Sequence, residues 1–451
     1  ALVMISALLT GCGNNNIANP YVSAPLTANQ GNGNYQNYQP YSPTSYNPQN
    51  LVNFEEQDAT EWESTQLSVK NINILNLDKI NQAIDSATHT SNTFNNSNVE
   101  FHFRGEKAYP ALEEMLLNAK ESIFFEVFQF HNDKSGNRIA DILSQKAKEG
   151  VDVHFIYDFL GNVAQNPSHI KKMEKSGVHI ATYNRQVLSS KGVNITHRKV
   201  YIIDGTKGMT GGMNIGDDYA FEYHDTLTSF EGEAVKDMLK EFMNDWKLAG
   251  KKVTPAMDKA FKSPVTFQSE KALALRVAVT SPREKSKNTQ LKGMMISAID
   301  TAVENVKVAM PFFADDEFVN HLILAKKRGV DVTALIPMNN KSKIINDFNE
   351  TTVNQLVKAN ITVYRAGAKD HIYSHSKILT VDNIWATVGS CNADHRAFHE
   401  NQELNIAVSD PAFTQGINDG FFTTLIKGSE KASYKKMSKL KISYYDFLEK
   451  I

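Results

Sequence analysis

The chain has 451 residues, 41% hydrophobic and 22% charged, enough for two ordinary domains with their own cores and too apolar for a wholly disordered protein. A formal net charge of −2 excludes a general positive field towards nucleic acid or an anionic surface, so any such attraction is local. Two cysteines, Cys12 and Cys391, stand in such different contexts that no disulfide framework is expected and stability rests on packing.

In chain order, the first element is ALVMISALLTGCG, with an apolar run of about nine residues. That is too short to span a bilayer and fits a signal-peptide core whose start lies upstream. The run ends in Leu9-Thr10-Gly11-Cys12, which resembles the lipobox of bacterial lipoproteins. The resemblance implies removal of residues 1–11 as a signal and diacylation of Cys12. Residues 13–54 carry no charge and are rich in Asn, Gln, Tyr, Pro, Ser and Gly, a composition that cannot bury enough apolar surface to fold. Residues 12–59 therefore read as a lipidated Cys and a disordered tether with a reach of roughly 35 Å. Two acyl chains make such an attachment stable. The expected location is the bacterial cell envelope, lipid-anchored, at the outer membrane in a Gram-negative cell.

Residues 60–97 read as a leader with some helix, and from there the same series of signals appears twice, about 180 residues apart. In the first pass, a helix over 111–120 precedes the strand Ser122–Phe130; in the second, Leu291–Glu304 leads into Val306–Met310. Next come helices over 137–149 and 316–328, each ended by a Gly that opens Gly150-Val151-Asp152-Val153 or Gly329-Val330-Asp331-Val332. The strands Val151–Tyr157 and Val330–Ile336 are near-continuous apolar runs, as expected of parallel strands covered by helices. A helix and short strand close each series, at 168–183 and 350–364. The predicted fold class is α/β, with two tandem repeats over 98–250 and 271–451 joined by a connection over 251–270. Each repeat is expected to be a mostly parallel sheet flanked by helices.

The fourth signal carries chemistry. His197-Arg198-Lys199 is followed by Asp204, and His375-Ser376-Lys377 by Asp382, so both halves read His-x-Lys-x-x-x-x-Asp. One such match is weak, but two in register are not. Each is trailed by a small-residue turn and an Asn 17 positions after the His, in Gly211-Gly212-Met213-Asn214 and Gly389-Ser390-Cys391-Asn392. A carboxylate stands 28 positions after each His, Asp225 and Glu403.

These positions resemble the phospholipase D superfamily, whose paired HKD motifs carry the same trailing turns, over about residues 98–451. Within it, the sequence is most similar to bacterial cardiolipin synthases and related phosphatidyltransferases, through Gly211–Tyr219, His224-Asp225-Thr226, Glu231-Gly232 and Asn392-Ala393-Asp394-His395-Arg396. The resemblance implies two repeats packed with pseudo-two-fold symmetry, the active site between them, and a single monomer sufficient for that site. It also implies His197 as nucleophile and His375 as acid and base, although the near-symmetry of the motifs does not itself decide between them.

The physical case runs beside the resemblance. Substitution at a phosphodiester needs a nucleophile, an acid for the leaving alkoxide, and charge or donors around the phosphoryl oxygens. Each repeat supplies one set. His and Lys two residues apart on an extended segment face the same side. One ring can form a phosphohistidine while the other protonates the leaving oxygen and later activates the incoming hydroxyl. A carboxylate on the far nitrogen fixes each ring, the part expected of Asp225 and Glu403. Lys199, Lys377, Asn214 and Asn392 are expected to hold the phosphate oxygens. Gly212 and Ser390 support the turns, and Asp204 and Asp382 end apolar strands, where a turn-stabilising role is at least as well motivated as catalysis. No metal-ligand spacing stands out among His, Cys, Asp and Glu, and no cofactor is implied.

His224 either lines the site or packs beside it, Cys391 reads as a small buried hydrophobe, and Asp394 with Arg396 reads as a shared family pattern or a structural ion pair. Lys427, Lys431, Lys435, Lys436, Lys439 and Lys441 suggest a basic C-terminal helix, either a surface helix with snorkelling lysines or one that meets anionic headgroups. The expected substrates are a glycerophospholipid and an alcohol acceptor, exchanged by a cardiolipin-synthase-type phosphatidyltransferase. A phospholipase D releasing phosphatidic acid is the alternative. A nuclease is disfavoured by the near-neutral charge and the lack of a basic, aromatic-interleaved track.

Overall fold

The protein is described by a computed structural model over residues 59–164, 166–184, 194–265, 272–283 and 288–437. The signal-like segment, Cys12, the tether through residue 58, Lys439 and Lys441 lie outside these residues. The expected leader is the helix Ala59–Thr88. The first repeat supplies β1 (Thr93–Phe103), β2 (Ser122–Val127), β3 (Asp152–Asp158), β4 (His179–Tyr183), β5 (Val200–Ile203), β6 (Lys207–Gly211) and β7 (Thr226–Gly232). The second supplies β8 (Leu273–Ser281), β9 (Asn288–Thr289), β10 (Asn305–Ala309), β11 (Asp331–Pro337), β12 (Thr362–Ala366), β13 (Ile378–Val381), β14 (Trp385–Gly389), β15 (Glu403–Ser409) and β16 (Glu430–Lys431).

All sixteen belong to one sheet. The order β4-β3-β2-β5-β6-β7-β1 is answered by β8-β15-β14-β13-β10-β11-β12, the halves meeting at an antiparallel β1–β8 seam, with β9 on β8 and β16 on β12. Strand for strand this is the pseudo-two-fold arrangement expected of two repeats. The sheet is mixed, however, rather than mostly parallel. Only β2–β3–β4 and β10–β11–β12 pair in parallel. The first two strands after each motif, β5–β6 and β13–β14, are joined by tight turns with no intervening helix, and a tight turn forces antiparallel pairing.

The Gly-ended helices form as expected. Asp133 caps Lys134–Lys148 by accepting the Gly136 N–H at 2.9 Å, and Asp315 caps Asp316–Lys327 by accepting that of Phe318 at 2.8 Å. At the other ends Gly150 (φ 92°) and Gly329 (φ 101°) take the left-handed conformation. There Val151 N–H reaches back to Lys146 O and Val330 N–H to Ala325 O, which stops each helix and launches the next strand.

Separate apolar cores lie under the helices of each repeat, and two further clusters cross the seam. The helix Ala234–Leu248 of the first repeat packs with Val277, Val279, Leu404 and Ile406 of β8 and β15. Reciprocally, Phe413 and Phe421 of the second repeat meet Phe101 and Phe103 of β1, with ring centroids 5.1 to 6.4 Å apart. Burying such a ring contributes roughly 1.5–3 kcal/mol, so these contacts fix the repeats against each other.

The basic C-terminal helix is not what the described residues form. A helix ends at Lys427, Lys431 lies in β16, paired with Tyr364 of β12, and Lys435 N–H donates to Asn354 Oδ1 at 2.8 Å. The open edge of β12 captures this backbone through hydrogen bonds, which outweighs the helical spacing of the lysines. No described helix is long and apolar enough to cross a membrane.

Candidate active site

Each His-x-Lys segment runs extended into the strand behind it, β5 or β13, and is gripped from the side by backbone of the opposite repeat. His197 N–H donates to Gln402 O at 2.9 Å and Gln402 N–H to Ile195 O at 2.9 Å. In the same way His375 N–H donates to His224 O at 2.8 Å and His224 N–H to Tyr373 O at 2.9 Å. Gln402 precedes Glu403 and His224 precedes Asp225, so these bridges deliver each carboxylate to the other repeat's histidine. Nδ1 of His197 stands 3.0 and 3.1 Å from the two carboxylate oxygens of Glu403. Nδ1 of His375 stands 2.7 Å from Asp225 Oδ2. The expected one set per repeat is therefore exchanged at the carboxylate. In both rings Nε2 becomes the nitrogen available for chemistry.

The lysines lie beside the rings. Lys199 Nζ donates to His197 O at 2.5 Å. Lys377 Nζ donates to His375 O at 2.6 Å and lies 3.0 Å from that ring's Nε2. Burial, then Lys199 and Lys377, pushes His197 well below its ordinary pKa. Burial, then Lys377, pushes His375 down to about 3 against the pull of Asp225, with Lys199 adding to the descent. Each ring thus feels a lysine from the opposite repeat, as a single shared site requires. Burial pushes the Glu403 carboxyl up to about 8, opposed by Lys199 and by the hydroxyl of Ser390, which donates to Oε2 at 2.5 Å.

The turn residues differ between halves for a steric reason. A Cβ on Gly212 would collide with the Asp225 carboxylate, so glycine makes room for the shorter acid; the corresponding Ser390 instead hydrogen-bonds the longer one. Asn214 is held in its own repeat, accepting the Gln129 N–H at 3.1 Å and donating to Tyr219 Oη at 2.8 Å. Asn392 has Phe312 and Ala397 where the first half has Gln129 and Tyr219, and its buried Oδ1 has no hydrogen-bond partner among the described residues. Asp204 and Asp382 stand away from the chemistry. Each adopts a left-handed φ, 52° and 51°, and each collects three backbone N–H groups at the start of a central strand. Asp204 takes those of Lys120, Glu121 and Ser122, and Asp382 those of Val303, Glu304 and Asn305.

Of the neighbours, His224 contributes backbone, and its ring packs on Phe103 at 5.4 Å. Cys391 is buried, which pushes its thiol up and makes it inert. Asp394 caps the helix His395–His399 through the Ala397 N–H at 3.1 Å, while Arg396 pairs with Glu400 at 3.5 Å and its charge partly opposes the upward push of burial on the Asp394 carboxyl.

Sequence reasoning missed a polar network beneath His197. Arg198 is wholly buried, with Asp245 at 2.6 Å and Glu241 at 3.0 Å. Gln402 Nε2 donates to Asp245 at 2.8 Å, and Thr196 Oγ1 donates to Glu126 at 2.5 Å. Burial pushes the carboxyls of Glu126 and Asp245 up. It also missed the aromatic walls, Phe128 at 5.2 Å from His197, and Tyr219 and Tyr373 at 5.4 and 6.1 Å from His375. The one available signal was an Arg inside the first motif where the second has Ser376.

Two mirrored α/β repeats with their paired histidines at the seam make the fold of the phospholipase D superfamily. A family model described as "Cardiolipin synthase, PLD-like domain" matches residues 112–246 and again 295–424, more than half of the chain, and the chain belongs to that family. Cardiolipin synthase 2 of Bacillus anthracis is 29% identical over 337 residues, covering 72% of this chain and 64% of the relative. Cardiolipin synthase of Alkalihalophilus pseudofirmus is 30% identical over 312 residues, covering 67% and 60%. The chain thus spans less than two thirds of the length of these curated relatives. Among solved structures, phosphatidylserine synthase of Haemophilus influenzae superposes with a TM-score of 0.61 at 14% identity, over 82% of this chain and 97% of that one, a likeness of fold.

Proposed function

We propose that the protein is a phosphatidyltransferase of cardiolipin synthase type, moving a phosphatidyl group from one glycerophospholipid to an alcohol through a phosphohistidine. The observation that carries this reading is the exchange of carboxylates, which locks two imidazoles by their Nδ1 atoms in one buried site with a lysine beside each. His197 Nε2 attacks phosphorus and forms the P–N bond, while the leaving alkoxide takes a proton from His375 Nε2. An incoming hydroxyl then gives its proton to His375 and its oxygen to phosphorus, and the P–N bond breaks. The environment of the two rings supports that division. Glu403, raised to about 8, suits a partner for a neutral ring, whereas Asp225 pulls the His375 pKa upward and so favours its imidazolium. The phosphate supplies the remaining shift, since its charge offsets Lys199 and Lys377, which add to burial in holding both rings down.

Lys199, Lys377 and Asn392 hold the non-bridging oxygens. Asn214, already committed to Gln129 and Tyr219, shapes the wall from behind. The envelope location follows from diacylation at Cys12 with the uncharged segment as tether; palmitate labelling that is lost in Cys12→Ala tests it. For the activity, the protein is incubated in chelator with labelled phosphatidylglycerol and phosphatidylethanolamine, with and without glycerol. Cardiolipin is the expected product. Phosphatidic acid alone makes the protein a phospholipase D, and turnover surviving in both His197→Ala and His375→Ala refutes the mechanism.

A further inference from the structure

On the far edge of the first repeat, away from the seam, Asp152 and His154 stand two residues apart on one face of β3, and His179 is the residue paired with His154 on β4. Strand alternation and in-register parallel pairing thus bring three side chains to one point. Asp152 Oδ1 lies 3.3 Å from His154 Nδ1 and 3.4 Å from His179 Nε2, and the three atoms all fall within 4.8 Å of one another. Two of the three, Asp152 Oδ1 and His154 Nδ1, are buried polar atoms that make no well-aligned hydrogen bond among the described residues, only their ion-pair contacts within the cluster, and the His154 side chain is fully buried. Polar atoms held this loosely in a buried place cost roughly 1–3 kcal/mol each, so a ligand that completed their bonding would be favoured there.

We infer that Asp152, His154 and His179 form a binding site for a divalent transition-metal ion of the Zn²⁺ class, separate from the phosphodiester site. The spacings fit. Bonds of about 2.0–2.1 Å at tetrahedral angles separate neighbouring donor atoms by about 3.3–3.4 Å, and the two oxygen-to-nitrogen distances are 3.3 and 3.4 Å. The donor set of two imidazoles and one carboxylate suits a borderline cation, with water completing the shell. The surroundings resemble a metal site's outer shell. Thr254 Oγ1 stands 3.1 Å from His154 Nε2, so the tautomer protonated at Nε2 donates to it and aims the Nδ1 lone pair at the ion. Phe124 stacks on the His154 ring at 5.5 Å and Trp246 meets it edge-on at 5.1 Å, fixing its plane. His179, with 59% of its side chain exposed, opens the site to solvent. A bound ion would tie β4, the edge strand of the sheet, to β3. It would also tie the inter-repeat connection to the first repeat, because Thr254 caps the helix Pro255–Lys262 that lies in it. No metal-ligand spacing stands out here in the sequence because Asp-x-His with a His 25 residues on becomes a cluster only through strand register.

The test uses the whole protein stripped with chelator and titrated with Co²⁺, then Zn²⁺. We expect one Co²⁺ per chain with the visible absorption of a tetrahedral site, its displacement by Zn²⁺, and a melting temperature raised by roughly a few degrees. In His179→Gln and Asp152→Asn, affinity should fall at least tenfold and the thermal shift disappear, while His197→Gln and His375→Gln bind as the parent does. Because His179 is largely exposed, its variant folds, as circular dichroism will show. The proposal is overturned if the folded parent takes up no ion. It is equally overturned if binding survives His179→Gln and vanishes in His197→Gln, which would place the ion in the catalytic site.

Discussion

Replacing Asp225 by Asn tests the exchange of carboxylates directly, because the damage should appear in the opposite repeat. Asp225 Oδ2 lies 2.7 Å from His375 Nδ1 in a site closed to water, while Oδ1 takes the Thr226 N–H at 2.8 Å. An Asn in this pocket keeps its oxygen on Thr226 and turns its NH₂ towards Nδ1. A ring that accepts at Nδ1 carries its proton on Nε2, the wrong tautomer for taking a proton from the incoming hydroxyl. The lost charge-assisted hydrogen bond is worth about 2–4 kcal/mol to the imidazolium in this buried site, hence a fall in kcat/KM of roughly 30- to 1000-fold. The assay pairs that kinetic measurement with ¹⁵N-histidine spectra assigned through His375→Gln and His197→Gln. Asp225→Asn should move the His375 nitrogens and leave those of His197 nearly in place, and Glu403→Gln should do the reverse. If Asp225→Asn instead perturbs His197 alone, each repeat serves its own histidine and the geometry above is wrong.

Gly212→Ala puts a methyl into the Asp225 carboxylate and should cost activity comparably to Asp225→Asn, with about 1–3 kcal/mol of stability lost to overpacking, read by urea unfolding. Asp204→Ala and Asp382→Ala each strand three backbone N–H groups and place Ala at a left-handed φ. Each should lose roughly 2–5 kcal/mol of stability while the fraction that folds keeps a near-parental kcat, separating these residues from the chemistry. For pH, His375 is held at about 3 against 6.5 when unfolded, so between those values the unfolded chain binds the extra proton. Its contribution is therefore present above pH 6.5 and lost as pH falls towards 3. Urea unfolding at pH 7 and pH 5 should show a stability drop that is smaller in His375→Gln.

The repeats, their Gly-ended helices and both motifs were legible because each is a local pattern seen twice, and the second copy removes chance. The strand order after the motifs was not. The β5–β6 and β13–β14 turns contain Asp204 and Asp382, which the motif marks as special without stating their backbone role. The partner of each carboxylate was equally hidden, since an offset of 28 within a repeat says nothing about a neighbour across the seam. The network of Glu126, Arg198 and Asp245 escaped because its members sit in a Phe-rich strand, a motif gap and an amphipathic helix, none of which signals a buried charge. Lys431 and Lys435 misled by their helical spacing, which a sheet edge overrode.

The reciprocal bridges at 195–197 with 402 and 373–375 with 224 also make the catalytic centre a gauge of the seam. Because both imidazole–carboxylate pairs straddle the same boundary, a slip of one ångström between the halves breaks both pairs together while each half keeps its own core. Strain on β1 and β8 should therefore silence the protein before it unfolds, and neither half, once cut free, would carry a half-working site.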